Sequence, residues 1–100
     1  MSANAVRGEA QIMLAGAALL LRPSFAALVA AEEELGPLFA LVERAADGGL
    51  KLAELAGLFW HCLTDKPSDR DAFCEALVEL GLAALTPALR VLLGQILRGR

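Results

Sequence analysis

Tyrosine is absent, histidine occurs once, and aromatic residues make up only 5% of the chain. Leu and Ala supply most of the apolar content, a bias that favours helices over sheets. Cysteine is scarce as well. Cys62 and Cys74 lack the C-x-x-C spacing of a zinc or redox site and read as reduced, packed thiols. Basic residues are outnumbered, nine Lys and Arg against twelve Asp and Glu, for a net charge of −3. Nucleic-acid binders carry a basic footprint, and here only Arg90, Arg98 and Arg100 gather. No nucleic-acid partner is expected. The longest uncharged run, Ala10 to Leu21, falls short of the ~20 residues of a spanning helix. Met1 to Arg7 lacks the pattern of a secretory signal. The expectation is a cytoplasmic protein with no membrane partner.

Catalytic patterns are missing too. One histidine and no nucleophile elbow leave no Ser-His-Asp set. Gly48-Gly49 is too short for a phosphate loop. His61 and Asp65 lie four apart, but two candidate ligands make no specific metal site. Cys62 adjoins His61 yet points about 100° away on a helix, which argues against a nucleophile–base pair. His61 therefore reads as an exposed surface histidine. No catalytic, cofactor-binding or metal-binding residue is assigned, and no enzyme is expected.

What is present is apolar. The chain of 100 residues is 57% hydrophobic before its nine glycines are added, against about 45–50% with glycine in an ordinary domain. Disorder is excluded. Without repeats, low-complexity tracts or long linkers, residues 1–100 read as a single domain. The fold class is mainly α (α+β), an N-terminal β-hairpin over 7–22 packed on about five short helices over 24–98.

The hairpin turns at Ala15-Gly16, pairing Leu14 with Ala17, Ile12 with Leu19 and Ala10 with Leu21. One face is then wholly apolar and expected to be buried, including Leu19 and Ala17. The other carries Met13/Ala18 and Gln11/Leu20, with Glu9 opposite Arg22 at the end. Ser24 caps a first helix from Phe25 to Leu35, with Phe25, Leu28, Val29 and Leu35 near one face and Gly36 as the stop. Pro37 stands at the N1 position of a second helix, with Leu38, Leu41, Val42 and Ala45 inward. A third runs from about Lys51 to Thr64 on a stripe of Leu52, Leu55, Ala56, Phe59, Cys62 and Leu63. Its wide apolar arc marks a central helix. Ser68 opens a fourth, with Ala72, Phe73, Ala76, Leu77 and Leu80 inward. Thr86-Pro87 opens the last, on Leu89, Leu92, Leu93, Ile96 and Leu97.

Two surface features point to partners. Asp71, Glu75 and Glu79 recur at i, i+4, i+8, either a solvated face or a docking ridge for a basic segment. Met13 and Leu20 lie on the uncovered hairpin face beside strand edges, which are ready templates for pairing. These five residues are the candidate partner-binding set. Glu32-Glu33-Glu34 also crowds a helix C-terminus, where the macrodipole prefers cations.

Arg7-Gly8-Glu9, the hairpin, Leu21-Arg22-Pro23-Ser24-Phe25-Ala26-Ala27-Leu28 and Glu32-Glu33-Glu34-Leu35-Gly36 together resemble the small tail assembly chaperones of gene transfer agents, domesticated phage-like particles. The region from Val78 to Leu93 is similar as well. Phe59-Trp60-His61-Cys62 departs from the pattern, where smaller residues are expected, so the third helix should contact something particular there. The resemblance implies a non-enzymatic protein that binds tail proteins, the tape-measure or tail-tube protein, before assembly. A small helical adaptor or regulatory module of the host is the alternative. The apolar surplus equally fits a homodimer.

Overall fold

The computed structural model describes residues 9–98, so Arg7-Gly8 of the expected hairpin and Arg100 of the basic cluster lie outside the described residues. Strand β1 is Ala10–Leu14 and β2 is Ala17–Leu21. They pair antiparallel in the expected register, Ala10 with Leu21 through Leu14 with Ala17. The turn residues Ala15 and Gly16 both take positive φ, 50° and 81°, as a two-residue primed turn demands. Beyond the strands, Arg22 Nε donates to Glu9 Oε2 at 2.7 Å, which realises the expected cross-strand charge pair. Ala10, Ile12, Leu14 and Leu21 are buried. The inward face is buried along the whole of β1 but on β2 only at Leu21: Leu19 is half-buried and Ala17 exposed, because α4 and α5 pack against β1.

Five helices follow: α1 Phe25–Leu35, α2 Leu38–Ala46, α3 Leu52–Cys62, α4 Arg70–Leu80 and α5 Leu82–Arg98. Ser24 Oγ accepts from the Ala27 N–H at 3.2 Å, and Gly36 closes α1 at φ 88°. Only Ala31 of α1 is fully buried. Phe25, expected on the inner face, is 85% exposed. Phe25 to Ala31 are all apolar and give no pattern from which to read a face, and α1 meets α3 through residues further along. Pro37 is the N-cap of α2 rather than its first residue. Proline has no capping side chain, and Glu32 takes that role, its Oε2 accepting from the Leu38 N–H at 3.1 Å.

Helix α3 is the centre, with every residue from Leu55 to Phe59 buried, and Cys62 as well. It begins one residue later than expected, at Leu52, which is 45% exposed. It ends two residues earlier because the chain there pairs with β2 instead. Arg22 N–H donates to Cys62 O at 2.7 Å and Thr64 N–H to Leu20 O at 3.1 Å, around a bridge between Leu21 and Leu63.

The N-cap of α4 is Asp69, not Ser68; its Oδ1 accepts from the Ala72 N–H at 3.2 Å. Phe73 and Leu77 are buried as expected, but Ala72 is exposed and Leu80 is at 40% exposure, so the inward stripe is narrower than expected. The largest departure is α5. It starts at Leu82 directly after Gly81 (φ 98°), across a 112° bend from α4, and carries Pro87 inside. The missing Pro87 N–H would have served the Ala83 carbonyl, and Ala83 is exposed, so that group is free to turn to solvent. The buried stripe is accordingly Leu85, Ala88 and Leu92, while Leu97 is 56% exposed. Helices α4 and α5 pack against β1, and α1 lies along α3. No single helix among the described residues is long and apolar enough to cross a membrane.

Candidate functional site

The acidic crowd at the end of α1 is largely consumed inside the molecule. Glu34 Oε2 accepts from Arg70 Nη2 at 2.6 Å, and its Oε1 from His61 Nε2 at 2.7 Å. An ionised carboxylate only accepts, so His61 carries a proton on Nε2. The Arg70 hydrogen bond, and then that of His61, hold the Glu34 carboxyl below its ordinary range despite some desolvation. Arg70 is correspondingly raised by its bond to Glu34. The guanidinium lies 5.7 Å from the centre of the Trp60 ring, which in turn meets Phe73 at 5.7 Å and 56°. This network joins α1, α3 and α4.

His61 is thus not the exposed, unengaged histidine expected from its place opposite the α3 stripe; its side chain is only 17% exposed. The Phe59-Trp60-His61-Cys62 stretch contacts α1 and α4 of its own chain. Cys62 is buried, and burial pushes its thiol up to about 12, far from a nucleophile's range. Both cysteines are free. Among the described residues no three His, Cys, Asp or Glu side chains come together to hold a metal.

The five candidate partner-binding residues fall on two separate surfaces. Met13 is 56% exposed on β1. Leu20 is half-buried and its carbonyl is engaged by Thr64, so it offers less than its place on the outer hairpin face suggested. Asp71, Glu75 and Glu79 are all exposed along α4. With Asp71 and Glu75, Cys74 and Val78 line a shallow depression. Val78 is 55% exposed, so the ridge is charged but has an apolar neighbour.

Sequence reasoning missed the two most exposed large apolar side chains, Phe25 at 85% and Phe39 at 73%. Each sits in the first turn of its helix, α1 and α2. Phe39 directly follows the buried Leu38, and a buried neighbour one position away on a helix implies an outward turn of about 100°; that signal was legible. A small apolar groove of about 190 Å³ also opens between the starts of α3 and α5, lined by Leu50, Leu52, Leu55, Leu82, Leu85 and Leu89 among others.

A family profile described as phage tail tube protein, GTA-gp10, matches residues 7–99. No curated protein and no solved structure matches the chain.

Proposed function

The chain belongs to the phage tail tube protein family GTA-gp10, and from that premise we propose that it acts as a tail assembly chaperone in a gene transfer agent or prophage. Its place in a phage-type tail system rests on the family. The finer role is to cover apolar surface of a tail protein, the tape-measure or tail-tube protein, in the cytoplasm until the tube is built, with no reaction of its own.

The observation that carries this reading is the exposure of Phe25 and Phe39, both outside the buried core cluster. Phenylalanine side chains on the surface of a small protein leave apolar area uncovered, and such area marks protein contacts. They supply anchors; Asp71, Glu75 and Glu79 supply a charged ridge that steers a basic partner and keeps the complex in solution. The sole histidine and both cysteines being packed or bonded within the fold supports a binding role over a catalytic one. The family description favours a second reading, a component built into the tube itself.

The direct test is co-expression with the tail-tube and tape-measure proteins and capture of the complex by a tag on this chain. The parent should retain one of them, and Phe25→Ser/Phe39→Ser should lose it. Retention of neither by the parent overturns the reading.

A further inference from the structure

Among the described residues the hairpin has one covered edge and one edge with no segment paired to it. The bonds from Arg22 N–H to Cys62 O and from Thr64 N–H to Leu20 O establish that Leu20 and Arg22 turn their main-chain groups away from β1. In an antiparallel ladder the residues opposite them do the same on the other side. Leu20 faces Gln11 and Ala18 faces Met13, so the N–H and C=O groups of Gln11 and Met13 point outward from β1. Among the described residues the sheet has two strands, and its bridge to Leu63 lies on β2. Sheet edges in soluble proteins are blunted by lysine, proline, a bulge or a covering segment. The β1 sequence Ala-Gln-Ile-Met-Leu contains neither charge nor proline.

We propose that a second copy of this chain closes this edge, β1 against β1, antiparallel about a two-fold axis at Ile12. In that register Gln11 of each copy faces Met13 of the other, and every outward main-chain group of the two residues finds a partner. Ile12 stays within its own core, and Met13 of each copy covers Gln11 of the other on the outer face. No like charges oppose one another, because the five residues carry none. The covered β2 edge stops the pairing at two copies, giving a closed isologous dimer rather than a growing ladder. Two five-residue edges alone bury less than the ~1,200–2,000 Å² of a stable interface. The exposed Val78, Leu80, Leu82 and Leu97 lie on α4 and α5, the helices packed against β1, and the proposed dimer draws the remaining area from these helices. This inference does not depend on the chaperone reading.

Sedimentation of the purified full chain from micromolar to sub-millimolar concentration tests it. The parent should shift from one to two chain masses as concentration rises. Met13→Pro removes only an outward donor, so the hairpin's internal bonds survive. Met13→Lys leaves the backbone intact and places a charge on the edge. Both should weaken dimerisation at least about tenfold, with far-UV circular dichroism unchanged. A parent monomeric throughout overturns the proposal, as does a dimer that Met13→Lys leaves intact. A monomeric parent whose Met13 variants lose a tail protein would assign the edge to a partner's strand instead, and also overturn it.

Discussion

Glu34 and His61, 27 residues apart in sequence, meet at 2.7 Å, and the same carboxylate holds Arg70 through its other oxygen. One side chain thereby ties α1 to both α3 and α4. The lowered pKa of Glu34 has a consequence whose sign can be checked. A carboxyl held below its unfolded value contributes stability that is complete above that value and is lost as pH falls through the lowered folded value. The parent should therefore lose stability as pH drops below the ordinary Glu value of 4.5, whereas Glu34→Gln should be less stable at neutral pH and flatter across the acid range. Urea midpoints across that window measure it. Glu34 is 39% exposed, so solvent screening keeps the effect modest.

Gly57 is where α1 and α3 approach beside this network. A Cβ there would meet Leu35 Cδ2 at 3.1 Å, Arg70 Nη2 at 3.4 Å and Glu34 Oε2 at 3.5 Å. The nearest atom is the end of a half-buried leucine, which can yield a few tenths of an ångström. Gly57→Ala should therefore be close to neutral, its gain in helix propensity offsetting the crowding. Gly57→Val should cost about 1–3 kcal/mol by overpacking. Thermal or urea unfolding of the pair decides; equal stability of the two variants would contradict the close approach.

Leu21 is fully buried and Leu19 only half-buried on the same strand face. Leu21→Ala should cost about 2–5 kcal/mol, and Leu19→Ala clearly less. The order, read from urea midpoints, checks where the hairpin stops being covered.

The hairpin was legible because a turn at Ala15-Gly16 admits one register that sets Glu9 opposite Arg22 and gathers Ala10, Ile12, Leu14 and Leu21 on one face. Helix α5 was misplaced because Thr86-Pro87 carries a genuine start signal. Gly81 at φ 98° releases the chain to turn sooner, and solvent at Ala83 makes the internal proline tolerable. Phe25 was turned inward since the first two turns of α1, Phe25 to Ala31, are apolar on every side. The Glu34, His61 and Arg70 network joins residues 27 and 36 positions apart, and no local period encodes such a meeting.

Thiol labelling separates the cysteines. Cys62 is buried with its thiol raised to about 12, while Cys74 is half-buried on α4. In folded protein at neutral pH, alkylation followed by mass spectrometry should modify Cys74 first and leave Cys62 protected until unfolding.

Phe25 and Phe39 contribute exposed surface, so Phe25→Ser and Phe39→Ser should each change folding stability by no more than about 0.5 kcal/mol. Each should weaken tail-protein binding about tenfold, mainly through faster dissociation. Glu75→Lys/Glu79→Lys should instead slow association and flatten its dependence on salt. Binding kinetics at two ionic strengths distinguish anchors from steering charges.

The central claim is a role before assembly rather than within the finished tube. Quantitative mass spectrometry of purified particles, set beside the lysate in which they assemble, addresses it most directly. The chaperone reading predicts this chain in complex with a tail protein in the lysate, and in finished particles far fewer copies than tail-tube subunits. Copies equal in number to the tube subunits in finished tails would contradict it and make the chain a component of the tube.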